Sequence, residues 1–250
     1  MVSANTTKKQ KYRGIHMQRI ENSILQKTKN PSKRRRRELQ RMMAESADLL
    51  KETNRSLIVV MEGLDASGKS GCIERMVREL DRKQYRVHPV SKPTADEYAH
   101  HYLRRFWMNL PEYGQIAVFD RSWYGRVLVE RIEGFCRPDE WMRAYWEINQ
   151  FERQLTDDGT ILIKLWMEVS GEEQLRRFHA RMNDPAKEHK ITDEDWRNRA
   201  KRAEYDRARE DMLRLTDTGY APWRVIPADD KSAARTAVME AVLTWVDFLL

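Results

Sequence analysis

Residues 63–70 read GLDASGKS, which matches G-x-x-x-x-G-K-[ST] at every fixed position and follows the apolar run Leu57, Ile58, Val59, Val60 and Met61 after the single residue Glu62. After the string, apolar residues recur at helical spacing through Ile73, Met76, Val77 and Leu80. A strand that turns through two glycines into a helix is the setting in which this string cradles phosphate. The glycines let the backbone curl so that its N–H groups point inward, and the helix start adds partial positive charge. The residues expected to touch phosphate are Gly63, Ala66, Ser67, Gly68, Ser70 and Gly71, with Lys69 reaching the transferring group and Ser70 able to hold Mg²⁺. A bare strand–helix turn is the alternative for the string alone, and the strand before it and helix after it argue against that.

The rest of the chain alternates the same two patterns. Strands are expected at 57–61, 85–90, 116–119, 161–167 and 223–226, and helices at 68–82, 94–109, 122–133, 138–157, 171–183, 193–215 and 231–249, with a further helix from Leu39. Continuous apolar strands separated by helices predict an α/β three-layer sandwich, a five-stranded parallel sheet covered on both faces. Residues 1–38 form a basic arm containing Lys8, Lys9, Lys11, Arg13, Arg19, Lys27, Lys29 and the run 34–37, and residues 39–250 form the domain. The arm reads as an anion- or partner-binding segment, or else as a solvated extension or a helix packed across a subunit boundary.

Two acids qualify the phosphate loop. Asp65 lies inside it, where a carboxylate would repel phosphate unless it turns away, a cation intervenes, or it orients an anionic acceptor. Asp120 ends the apolar run 115–119, the place from which an acid orders Mg²⁺ beside the phosphates; capping the next helix is the other reading. Arg121 comes next and is suited to neutralising charge on a transferring group. Arg126, Glu130 and Arg131 lie on the same expected helix, the last two as supports for Arg121 or Arg126, or as a surface ion pair. The aromatics Tyr98, Tyr102, Phe106 and Trp107 are expected in the core, whereas Trp123 or Tyr124 is placed against a nucleotide.

These blocks together resemble the polyphosphate kinase type 2 family: GLDASGKSG, SKPT at 91–94, FDRSWYGRVLVERIEGF at 119–135, LRRFHARMNDPAKEHK at 175–190 and APWRVIPADDK at 221–231. The resemblance covers about residues 39–249. It implies a P-loop kinase-like fold with a helical lid at about 171–215, and transfer of a terminal phosphate between inorganic polyphosphate and a nucleotide with Mg²⁺. Asp65, Lys69, Asp120 and Arg121 would be catalytic, Asp65 and Asp120 would hold the metal, and Arg177, Arg181, Lys187 and Lys190 would be the lid cations facing polyphosphate. Lys92 is a further candidate for that groove. The wording around Gly125 is similar to the subgroup that takes AMP to ADP; a polyphosphate:ADP or GDP phosphotransferase and an ATP-dependent nucleotide kinase remain as alternatives. Members of the AMP-acting subgroup are often two fused copies, and this chain carries one.

Composition sets outer bounds. With 46 Lys+Arg against 39 Asp+Glu, the formal charge of +7 favours an anionic partner and is too modest to indicate nucleic acid, which is not expected. Cys72 and Cys136 are the two cysteines, and they suggest free thiols rather than zinc or a disulfide. No apolar run approaches the length of a membrane span, and the N-terminus lacks the apolar segment of a secretory signal, so a cytoplasmic protein without membrane contact is expected. A homo-oligomer is expected as well, with Val242, Trp245, Val246 and Leu249 serving either core or interface.

Overall fold

Two strands run almost wholly apolar, β1 (Leu57–Gly63) and β4 (Ile161–Glu168), and both are buried along nearly their whole length. A strand with no polar face must be covered on both sides, so these two take the centre of the sheet. β3 (Ile116–Asp120) pairs with β1 on one side and β4 pairs on the other; β2 (Tyr85–Pro89) and β5 (Trp223–Pro227) form the edges. The order is β2-β3-β1-β4-β5, all parallel, as the apolar runs predict. From β1 the chain crosses to β2, and from β3 it crosses back over β1 to β4. A crevice therefore opens at the carboxyl ends of β1 and β3, the switch point at which open α/β sheets bind ligands. The computed structural model describes residues 32–250. The basic positions Lys8 to Lys29 lie outside the described residues.

Helices cover each face. On one, α1 (Lys33–Glu52), α2 (Lys69–Met76) and α10 (Lys231–Leu249) pack Leu39, Met43, Ile73, Val242 and Val246 onto Val59, Leu165 and Met167. Val242, Trp245 and Val246 are thus core within this chain. On the other, α6 (Pro138–Asp157) and α9 (Arg202–Thr216) bring Ile148, Phe151 and Met212 onto Val60, Phe119 and Leu162. Trp123 sits among Phe106, Phe119 and Phe151 with ring centroids 4.9 to 5.6 Å away.

Several helices differ from expectation at points with a local cause. The segment 94–109 is two single turns, α3 (Ala95–Tyr98), closed by a Thr94–Glu97 capping box, and α4 (Arg104–Trp107). The segment 122–133 divides into a 3₁₀ turn (Trp123–Arg126), begun by the Ser122 hydroxyl accepting from the Tyr124 N–H, and α5 (Val129–Glu133). The lid keeps its expected span as α7 (Gly171–Met182), a 3₁₀ turn (Glu188–Lys190), α8 (Asp193–Ala200) and α9, with a break at Lys201. α2 stops at Met76, short of the expected residue 82. α1 begins at Lys33 rather than at Leu39, because Ser32 caps the Arg35 N–H and so draws the basic run into the helix.

Candidate active site

The phosphate loop starts where β1 ends. Gly63 has φ +144°, and a Cβ there would lie 2.7 Å from the Met167 carbonyl oxygen, so no other residue fits between β1 and β4. Gly68 takes φ +103° at the start of α2. Lys69 is nearly buried, and its Nζ donates to the carbonyls of Gly63 (2.7 Å) and Leu64 (3.2 Å), folded back on its own loop. Burial, reinforced by the Arg121 guanidinium, lowers the Lys69 ammonium below its usual value, against the pull of Asp65, Asp120 and Glu62.

The loop is held from the lid side by Arg177. Its Nε donates to Glu173 (2.6 Å), Nη1 to the carbonyls of Ala66 (2.8 Å) and Ser67 (3.1 Å), and Nη2 to those of Ala228 (2.6 Å) and Asp229 (2.9 Å). All five guanidinium N–H groups therefore have protein acceptors, in a side chain only 3% exposed. Arg177 lines the cavity with the other expected lid cations, but its donors are spent on protein: it ties the phosphate loop to α7 and to the turn after β5. Arg181, one turn on, lines the open cavity with Lys187 and Lys190, and its Nη1 donates to the Lys190 carbonyl (2.9 Å).

Asp120, at the end of β3, accepts from the Ser70 hydroxyl at 3.1 Å. A loop hydroxyl beside a strand-end carboxylate is a hard-oxygen pair that suits Mg²⁺. Asp65 is turned elsewhere: Oδ1 accepts from Arg121 Nη2 (2.7 Å) and Oδ2 from Asn198 Nδ2 of α8 (2.9 Å). The donor set present thus fits a metal at Asp120 and Ser70, whereas both Asp65 oxygens are held by protein donors. Arg121 itself has φ +64°, a left-handed conformation that costs a non-glycine residue about 1–2 kcal/mol. The neighbouring Ser122 anchors this turn by donating to the buried Glu62 (2.8 Å), whose carboxyl is raised by burial despite that bond.

Trp123 and Tyr124 then drop into a buried ion pair. Glu152 accepts from Trp123 Nε1 (3.0 Å), from the Tyr124 hydroxyl (2.7 Å) and from Lys164 Nζ (2.7 Å); Lys164 also donates to the Tyr124 oxygen (3.0 Å) and to the Thr216 carbonyl (2.7 Å). Both charged side chains are completely inaccessible. Tyr124 is therefore no nucleotide contact in this structure; its ring belongs to the core and its hydroxyl to this network.

Three openings surround the turn. A cavity of about 620 Å³ lies over the phosphate loop, lined by Lys69, Ser70, Asp120, Arg181, Lys187 and Lys190 together with Arg176, Lys231 and Arg235. A cleft of about 140 Å³ lies beyond β3, lined by Tyr98, Tyr102, Phe106, Trp123 and Phe135 with Lys92, Arg105, Gly125, Arg126 and Glu130. A pocket of about 60 Å³ continues behind Asp65 to Trp166 and Tyr205. Arg121 lines all three.

Other expected residues divide between these places. Lys92 lies in the cleft and not in the cationic cavity. Arg126 pairs with Glu130 (3.2 Å) and lies over the Tyr102 ring at 4.5 Å, so Glu130 does support Arg126. Arg131 instead donates to Tyr145 and Asp211 (2.9 Å each) and takes no part in either opening. Of the aromatics expected in the core, Tyr98, Tyr102 and Phe106 line the cleft. Arg235 and Asn198 do not emerge from motif reading, and Lys231 appears there only as the end of the block 221–231, with no role attached. A readable sign for Lys231 is its place at the start of the last helix, on the rim where the strands end.

The glycine-rich loop, the strand-end Asp120-Arg121 and the lid cations Arg181, Lys187 and Lys190 line one cavity. The family model for Polyphosphate kinase 2 (PPK2) matches residues 26–248. The chain belongs to the polyphosphate kinase 2 family. Among its relatives, the polyphosphate:AMP phosphotransferase of Acinetobacter johnsonii is 47% identical over 82% of this chain and 43% of its own length. The GDP-polyphosphate phosphotransferase of Mycobacterium tuberculosis is 40% identical over 77% of this chain and 65% of its own. The crystal structure of polyphosphate kinase 2 from Arthrobacter aurescens superposes with a TM-score of 0.82 at 32% identity, covering 85% of this chain and 77% of the other. The chain thus spans less than half of the AMP-acting relative.

Proposed function

We propose that this domain moves the terminal phosphate of inorganic polyphosphate onto a nucleoside monophosphate, AMP to ADP, with Mg²⁺, and runs the reverse when ADP is in excess. The observation that carries the reading is the meeting of two unlike openings at Arg121: a wide cationic cavity with no aromatic side chain in its lining, and a narrower aromatic-lined cleft. A linear polyanion offers charge and no base, which the cavity suits; a nucleotide offers a ring and a short phosphate, which the cleft suits.

In this scheme an acceptor phosphate oxygen attacks the terminal phosphorus in line. The bridging P–O bond breaks, and polyphosphate leaves one unit shorter. Lys69 and Arg181 offset the charge of the donor, and Arg121, set between the openings, offsets the charge of the group in transit. Asp120 and Ser70 would hold Mg²⁺, which when bound neutralises phosphate charge; Asp65 orients Arg121. The lid residues Gln174 and Arg177 keep the loop curled by binding its carbonyls, and positioning with electrostatics suffices without a covalent intermediate.

The test is ³¹P NMR of AMP with polyphosphate and Mg²⁺, with ATP as donor in a parallel tube. Conversion of AMP to ADP at the expense of polyphosphate end groups supports the reading; a folded protein that transfers only from ATP, or from neither, sinks it. A diphosphate acceptor is the second reading, favoured by the likeness to the GDP-polyphosphate relative, and ADP or GDP in the same assay separates the two.

A further inference from the structure

The basic start of α1 has no role in the reaction above, and its sequence works against its own helix. Lys33, Arg34, Arg35, Arg36 and Arg37 are consecutive, with no acid in the first turn. Cations at a helix start oppose the macrodipole and repel one another at three- and four-residue spacing. Such a conflict between local preference and fold marks a place kept for something else.

Helix direction decides where that charge lies. α1 precedes β1, so its 20 residues, about 30 Å, run from the carboxyl rim of the sheet down to the opposite edge. Contacts fix the placement. Arg36 Nη1 donates to the Ser232 hydroxyl at 2.8 Å, and at the far end Arg55 Nη1 donates to the Leu249 carbonyl at 2.6 Å, so α1 lies parallel to α10 with both starts on the rim. Ser232 is next to Lys231, and Lys231 and Arg235 form the α10 wall of the cationic cavity. Arg235 also abuts Gly71, where an added Cβ would meet its Nη2 at 3.2 Å. Cationic side chains therefore continue from the phosphate loop through Arg235 and Lys231 to Arg36, and on to Lys33 and Arg37, both exposed. Of the acids near this face, Glu38 and Glu240 are held by Arg35 at 3.2 and 3.0 Å, and Asp230 caps α10 by accepting from the Ser232 and Ala233 N–H groups, which engages each of them with a protein donor.

We propose that the start of α1, with Lys33, Arg36 and Arg37, is a distal subsite that carries the part of a long inorganic polyphosphate chain protruding from the cavity on the α10 side. The proposal rests on the reading of the cationic cavity as the polyphosphate site. It gives the enzyme a preference for long chains through affinity and leaves the chemistry at Lys69, Asp120 and Arg121 untouched.

The test is titration calorimetry of the whole chain and its triple variant Lys33→Gln/Arg36→Gln/Arg37→Gln with long-chain polyphosphate and with tripolyphosphate. The triple variant is expected to lose affinity for the long chain by about tenfold, the combined effect of three surface contacts, and for tripolyphosphate by less than about twofold. The double variant Lys33→Gln/Arg37→Gln, altered only at exposed positions, guards against misfolding and should move the same way by less. Unchanged long-chain affinity, equal weakening of both ligands, or no binding of long chains by the parent overturns the proposal. Turnover with AMP, followed in parallel, reports on the functional reading separately: a chain-length effect without turnover sinks that reading and leaves the subsite standing.

Discussion

The two openings that meet at Arg121 are built on opposite principles. The cationic cavity is walled by side chains with exposed charge, from the lid and from α10, and what holds it in shape is Arg177, a largely buried member of its lining. The second opening, the cleft, is lined by aromatic rings, and what holds it is the inaccessible Glu152–Lys164 pair beneath the 3₁₀ turn. One opening offers charge and the other aromatic surface. In both, the groups that fix the geometry are buried and hydrogen-bonded to protein. The difference predicts which substitutions alter turnover, which alter folding, and which alter only binding.

The sharpest way to break the comparison is at the residue the two openings share. Arg121→Gln should lower kcat by about 10²- to 10³-fold, the range for a lost preorganised charge, while KM for nucleotide and polyphosphate each move by less than about threefold. A large rise in one KM with kcat intact would assign Arg121 to a single opening.

Next in size are the supports. Arg177→Ala strands four backbone carbonyls and takes one donor from Glu173, and Lys164→Met leaves a buried carboxylate unpaired; each should destabilise the fold by about 3–5 kcal/mol in urea titrations. Arg181→Ala, one turn from Arg177, should change stability by less than about 0.5 kcal/mol and raise KM for polyphosphate alone. Equal stability losses at 177 and 181 would undo the distinction between wall and support.

These arginines show where sequence reading stops. Their four-residue spacing places both on one face of α7, and that much was legible, as were the phosphate loop, the five strands, and the pairing of a loop lysine with a strand-end Asp-Arg. Which arginine points down under the loop depends on carbonyls from 66–67 and 228–229, brought together only by the sheet order. Tyr124 and Tyr98 exchange roles for a similar reason. Helical spacing makes the 98–106 aromatics look like core, and Phe106 is core, but the helix breaks into two turns and leaves Tyr98 exposed on the cleft. Lys164 carries a sign that is legible in principle: a lysine in the apolar run 161–167 of a strand covered on both faces demands a buried partner.

Ionic strength probes the contrast more gently. Raising salt from about 0.05 M to about 0.3 M cuts the screening length to roughly half or less, enough to weaken exposed, charge-led binding. KM for polyphosphate should rise severalfold over that range while KM for AMP rises less than about twofold. Parallel increases would mean that the cleft, too, binds mainly by charge.

The smallest expected effect concerns the carboxylate that joins wall to support. Glu173 accepts from Arg176 Nε and Nη2 (2.6 and 2.7 Å) and from Arg177 Nε (2.6 Å). The Arg176 hydrogen bonds, joined by those from Arg177, hold its carboxyl at about 2 instead of its ordinary 4.5. A depressed carboxyl contributes stability that is complete above 4.5 and is lost as pH falls toward 2. Because Arg176 is 68% exposed, the contribution is about 1 kcal/mol or less. Glu173→Gln should therefore leave Tm near neutral pH only slightly lower and make its decline below pH 4.5 shallower than in the parent. If the decline is unchanged, the Arg177 clamp does not depend on the charge of Glu173 and rests on the four backbone carbonyls alone.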